Sequence, residues 1–182
     1  MEQTICIRAA DWTVAWDSAR RRHFYLRGAD VAFRGERILH VGGRFAGPVD
    51  REIDGRTLLV MPGLINMHTH TATMPLFKGV REELGNPRFY MCALYAGWNL
   101  FYTEPKDKHW NSRYAYCEML LSGTTAVVDM CYPYPGWVEA IGESGIRGYV
   151  APLYQSARWH TENGYRLDYL WSEDKGQAAF RE

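Results

Sequence analysis

Two histidines one residue apart, His68-Thr69-His70, close the apolar run Leu64-Ile65-Asn66-Met67. In a β-strand alternate residues point to one face and lie about 6.6 Å apart along the chain, so two imidazoles can converge on one ion. The chemistry this offers is metal ligation. Neutral imidazole nitrogens hold zinc or iron and do not by themselves choose between them. The same pair also fits two histidines satisfied by neighbours in a strand, and spacing alone leaves both readings open. Strict alternation would put Leu64, Asn66, His68 and His70 on one face, suited to a barrel interior. Ile65, Met67 and Thr69 would then lie under a helix layer.

Other chemistries are disfavoured by what the sequence lacks. A cytidine-deaminase type of zinc site needs P-C-x-x-C, a zincin needs H-E-x-x-H, a nucleophile elbow needs G-x-S-x-G, and none of these strings occurs. Gly42-Gly43 is not a phosphate loop. His23 and His40 have no metal spacing and read as structural, and His109 reads as a solvated side chain in the first turn of a helix. His160 follows a third strand candidate and is kept as a candidate substrate contact. Asp129 ends a strand, and a structural hydrogen-bonding role is expected for it rather than a ligand role.

The elements that must position these residues can be read from pattern. Residues 1 to about 60 alternate in short runs, Thr4-Ile5-Cys6-Ile7 and Trp12-Thr13-Val14-Ala15-Trp16. Asp30 to Val41 reads as a hairpin turning at Gly35-Glu36, and Asp54-Gly55 marks a second turn before Thr57 to Met61. After Pro62-Gly63 come strand candidates at Leu64–His68, Ser122–Asp129 and Ile146–Ala151. Between them lie helical patterns. Trp110, Tyr114, Cys117, Leu120 and Leu121 recur at helical spacing, with Thr103 or Glu104 as cap, Pro105 in the first turn and Gly123 just past the end. A shorter helix fits Trp137 to Glu143, and Ala178 to Glu182 reads as the start of another. Strands alternating with helices through short Gly-marked connections argue for βα units and a parallel sheet. The stretch from Phe89 to Tyr102 is apolar nearly all round at helical spacing. It is expected either over the mouth of the active site or against another subunit.

Composition bounds the rest. The 182 residues carry 21 Lys plus Arg against 21 Asp plus Glu, with 47% hydrophobic and 23% charged residues. That is a globular composition, with no basic footprint for nucleic acid or an anionic membrane. No apolar stretch approaches the roughly 18 residues of a spanning helix, and Met1-Glu2-Gln3-Thr4 lacks the features of a signal peptide. The expectation is a cytoplasmic protein with no nucleic-acid or membrane partner. Cys6, Cys92, Cys117 and Cys131 are widely spaced and read as free thiols.

The string VMPGLINMHTH, Val60 to His70, resembles the first barrel strand of the amidohydrolase superfamily. Glu118 to Met130 (EMLLSGTTAVVDM) resembles the helix and second strand of its deaminase/chlorohydrolase-like, cytosine deaminase-type branch. Ala140 to Arg147 (AIGESGIR) is similar to the next helix-to-strand turn, and the N-terminal β segment is similar to the small composite sheet domain that precedes the barrel. The resemblance implies an α/β chain: a small β-sheet domain at 1–61, then the first three βα units of a (β/α)8 barrel at 62–182. His68 and His70 would hold a divalent metal, zinc or alternatively iron, at the C-terminal ends of the strands. A complete barrel takes roughly 250 residues, so the N-terminal portion of a longer enzyme is expected, with the catalytic acid/base and the remaining ligands beyond residue 182. The implied activity is hydrolysis of a non-peptide carbon–nitrogen bond in a small, apolar or heteroaromatic molecule by a metal-activated water, in a homo-oligomer. The alternative is a catalytically silent protein of the same shape that serves as a binding or scaffold module.

Overall fold

A computed structural model describes residues 2–78, 103–160, 168–173, 177 and 181. Contacts divide the chain into two compact units, 1–62 and 63–182.

The first unit is all β, with strands β1 (Thr4–Ala10), β2 (Trp12–Asp17), β3 (Arg22–Leu26), β4 (Ala29–Arg34), β5 (Arg37–Gly42), β6 (Arg51–Asp54) and β7 (Leu59–Val60). They form a four-stranded sheet ordered β5-β4-β1-β6 and a three-stranded sheet ordered β3-β2-β7. The expected hairpin is present. Arg34 pairs with Arg37, which leaves Gly35-Glu36 as the turn, and Gly35 supplies the positive φ of 50° that the reversal requires. Asp30 knits this unit together. Its carboxylate accepts from Arg8 Nη1 and from the backbone N–H groups of Ala9 and Phe45, at 2.8 to 2.9 Å. Burial alone would raise its pKa, but these donors hold it below the ordinary carboxylate value. One of them is Ala9, a non-glycine residue with φ of 51° where the β1–β4 register shifts, so the carboxylate also supports a strained backbone.

The second unit contains β8 (Leu64–Thr69), a 3-10 turn (Met74–Phe77), α1 (Pro105–Leu121), β9 (Thr124–Asp129), α2 (Trp137–Ser144), β10 (Arg147–Val150), β11 (Ala157–His160) and β12 (Asp168–Trp171). β8, β9 and β10 pair in parallel in the order β10-β9-β8, with a helix between each consecutive pair. The helix ends follow local chemistry. Glu104 is the extended N-cap of α1, Pro105 takes the first position, and Gly123 lies just beyond the end with φ of 84°. α1 does not bury the stripe its periodicity suggests, since Trp110, Tyr114, Cys117, Leu120 and Leu121 are exposed. Its buried face is Ser112, Ala115 and Tyr116, because small and hydroxyl-bearing residues meet polar groups at the sheet. With Val127, Cys131, Tyr134, Trp137, Ala140, Ile141 and Ile146, Tyr116 forms the core between helices and sheet.

The antiparallel pair β11–β12 was not anticipated from the sequence pattern. Phe89 to Tyr102 and, apart from Arg181, the terminal segment 178–182 lie outside the described residues. Among the described residues no helix is long and apolar enough to cross a membrane, and Cys6, Cys117 and Cys131 are free.

Candidate metal centre

The strand that carries the two histidines is not a regular one. Asn66 pairs with Val127 and Thr69 with Asp129, so three steps along β8 match two along β9. One extra residue in a strand reverses the side-chain alternation beyond it. Before the bulge Asn66 faces α1, where its amide lies 3.8 Å from Met119 Sδ. After the bulge Thr69 faces the same layer, beside Met74 Sδ at 3.7 Å. His68 and His70, one residue to either side of Thr69, therefore turn away from the helices, toward the face that is the interior of a barrel. Strict alternation placed Asn66 with the histidines and Ile65 and Met67 under the helices, and both assignments are corrected. Ile65 and Met67 are 64% and 68% exposed, on the face opposite the helices. Asn66 also stabilises the bulge, since its Oδ1 accepts the backbone N–H of His68 at 3.0 Å.

The two rings meet. Nε2 of His68 lies 3.1 Å from Nε2 of His70, with the ring planes at 81°. In a tetrahedral zinc site with Zn–N bonds of about 2.05 Å, two ligand nitrogens are about 3.3 Å apart. The pair therefore already has nearly the separation a shared ion requires. His70 Nδ1 is 2.6 Å from the carbonyl oxygen of Met130. A carbonyl only accepts, so Nδ1 carries the proton, which leaves Nε2, the nitrogen aimed at His68, as the one able to offer a lone pair. A backbone partner of this kind is the usual orienting contact of a metal-ligating imidazole. His68 is exposed and His70 half-buried, so the pair is open to an incoming ion. Among the described residues no group of three or more His, Cys, Asp or Glu converges, so the paired imidazoles stand here without a third side-chain donor of those types.

Behind the histidines lies a second polar cluster that sequence pattern does not reveal. Asp129 is fully buried. Its carboxylate accepts from Tyr116 Oη at 2.6 Å, Trp137 Nε1 at 2.7 Å, Thr71 Oγ1 at 2.7 Å, the Thr71 backbone N–H at 3.2 Å and Cys131 Sγ at 3.2 Å. Burial first, and then the neighbouring carboxylate, drive the Tyr116 phenol pKa upward and the Cys131 thiol up to about 12, so both keep the protons they donate. This gives Asp129 the hydrogen-bonding role expected for it. Its partners lie 2 to 58 residues away in sequence, and the only local signal for the cluster is an acidic residue ending an apolar strand.

The remaining histidines lie elsewhere. His23 packs edge-on against Trp16, and His40 Nε2 is 2.7 Å from the Gly43 carbonyl oxygen, both within the first unit. His109 sits on α1 against Trp110 and is half-buried rather than fully solvated. His160 ends β11, opposite Asp168 in the ladder.

The family model described as the amidohydrolase family matches residues 59–169. A 5-methylthioadenosine/S-adenosylhomocysteine deaminase of Caldanaerobacter subterraneus subsp. tengcongensis is 36% identical over 161 residues, which cover 86% of this chain and 36% of that protein. A triazine hydrolase from Arthobacter aurescens has a similar fold, with a TM-score of 0.67 at 23% identity over 96% of this chain and 41% of the other. A mutant atrazine chlorohydrolase from Arthrobacter aurescens TC1, complexed with zinc and atraton, gives 0.59 at 26% identity over 84% and 36% of the two chains. The chain spans about a third of the length of the curated relatives it matches. With the parallel order of β8 to β10, these likenesses show an α/β fold, the N-terminal part of a (β/α)8 barrel preceded by small β-sheets.

Proposed function

Because the chain belongs to the amidohydrolase family, we propose that His68 and His70 are metal ligands of a hydrolase acting on a non-peptide carbon–nitrogen bond of a small molecule, deamination included. The observation that carries this reading is the 3.1 Å approach of the two Nε2 atoms, with the His70 tautomer set by the Met130 carbonyl. A divalent metal held there supplies Lewis acidity and lowers the pKa of water toward neutrality. The chain's own residues provide the seat. The bulge turns both imidazoles to one face, Asn66 holds the bulge, and Met130 orients His70. Zinc is the proposed ion, with iron as the alternative, and the zinc complex of the atrazine chlorohydrolase supports that order.

The names of the methylthioadenosine deaminase and the atrazine chlorohydrolase both refer to nitrogen heterocycles, which favours a heteroaromatic substrate. Residues 1–61 are proposed as the small composite sheet domain and 62–182 as the first three βα units of the barrel.

The test is elemental analysis and ammonia release, with the full-length protein and its His68→Ala and His70→Ala variants. The parent is expected to bind zinc and to turn over an aminated heterocycle, and both variants to lose metal and activity together. Full metal occupancy in both variants would overturn the ligand assignment, and a zinc-loaded parent inert toward adenosine-like and triazine substrates alike would overturn the reaction class.

A further inference from the structure

We propose that Asp129 is a positioning residue for the metal centre, its buried carboxylate fixing, through Thr71, the backbone that presents His70. The inference rests on the reading of His68 and His70 as ligands. Three links tie the end of β8 to the residues that close β9. The Met130 N–H donates to Thr69 O at 2.8 Å, His70 Nδ1 donates to Met130 O at 2.6 Å, and the Ala72 N–H donates to Cys131 Sγ at 3.5 Å. Thr71, between His70 and Ala72, is held at two points by Asp129, which takes both its hydroxyl and its backbone N–H. His70 is thereby bracketed on both sides and clamped through its own ring.

The cluster has a direction. Tyr134 Oη donates to Ser112 Oγ at 2.6 Å, Ser112 is 2.9 Å from Thr71 Oγ1, and Thr71 donates onward to Asp129, so every hydroxyl can give its proton toward the carboxylate. Such chains reinforce one another in a dry interior. None of the five donors to Asp129 is cationic. A buried carboxylate held by neutral donors is a costly way to fill a core, and an apolar side chain would fill it with no polar group to desolvate. What an apolar side chain could not do is hold both polar groups of Thr71. Orientation of the His70 backbone is the service that Asp129 renders.

The experiment measures zinc affinity of the full-length protein by chelator competition, and the visible absorption of its cobalt(II) form. Asp129→Asn keeps the shape but turns an amide N–H toward donors. It is expected to weaken zinc binding by roughly 10- to 100-fold and to shift the cobalt spectrum. Thr71→Val, which exchanges the hydroxyl for a methyl of similar size, is expected to move both readouts in the same direction, and Thr71→Ser to restore them. If Asp129→Asn does not fold, the Thr71 pair decides. Wild-type affinity and spectrum in Thr71→Val, or a Thr71→Ser variant no better than Thr71→Val, would overturn the inference. The His68→Ala variant separates the two readings. If it loses zinc while Asp129→Asn and Thr71→Val keep it, only the positioning role falls, and if it too keeps zinc, the ligand assignment falls as well.

Discussion

His70 and Met130, 60 residues apart in sequence, are joined by a 2.6 Å contact between an imidazole Nδ1 and a main-chain oxygen. Because that oxygen can only accept, the ring is locked as the Nδ1–H tautomer before any ion arrives. Long-range proton–nitrogen NMR of the metal-free full-length protein is expected to show His70 as that single tautomer. A ring protonated at Nε2, or an averaged mixture, would mean that the contact does not orient it.

Asn66 should matter more than a half-buried amide usually does. Its Oδ1 takes the His68 N–H at the bulge that turns the histidines away from the helices. Asn66→Leu is expected to cost about 1 kcal/mol in urea unfolding and to weaken zinc binding, whereas Asn66→Asp keeps the acceptor and should stay near the parent in both. Equal behaviour of the two variants would deny the bulge contact its role.

Gly148 faces α2 from β10, and a Cβ built there would overlap Ile141. Gly148→Ala is expected to destabilise the second unit by about 1 to 3 kcal/mol, the usual cost of forcing an extra methyl against a packed side chain. Trimming the neighbour with Ile141→Val should recover part of that loss. A double-mutant cycle reads the coupling directly, and strict additivity of the two substitutions would exclude the steric explanation.

Asp30 predicts a pH dependence for the first unit. Burial pushes its pKa up, but the N–H groups of Ala9 and Phe45 and the Arg8 guanidinium outweigh that and leave it lowered. With a folded pKa below the unfolded value of about 3.9, its contribution is fully present above that value. The contribution is lost as pH falls through the lower folded pKa. Asp30→Asn is expected to cost about 1.5 to 3 kcal/mol near neutral pH and to flatten the acid limb of a stability–pH curve measured by urea midpoints. Parent and variant curves that run parallel through the acid range would show that Asp30 does not cause that limb.

Local chemistry sufficed for much of this protein. Pro105 and Gly123 delimit α1 because one lacks a donor that a helix start does not need and the other accepts a left-handed φ of 84°. The Gly35-Glu36 turn, the three parallel strands and the His-x-His pair were legible for the same reason, since each depends on residues adjacent in the chain. Tertiary structure decided which way those elements face. The register against β9 inserts the bulge between Asn66 and Thr69, and one residue of slip exchanges the two faces of a strand, which no alternation within β8 could disclose. The helical period of Trp110, Tyr114 and Cys117 located α1 but not its buried side, because burial is set by what packs opposite. The Asp129 cluster lay furthest from view. Its donors come from α1, α2 and the segments after β8 and β9, and a buried carboxylate finds such partners only once the chain has closed around it.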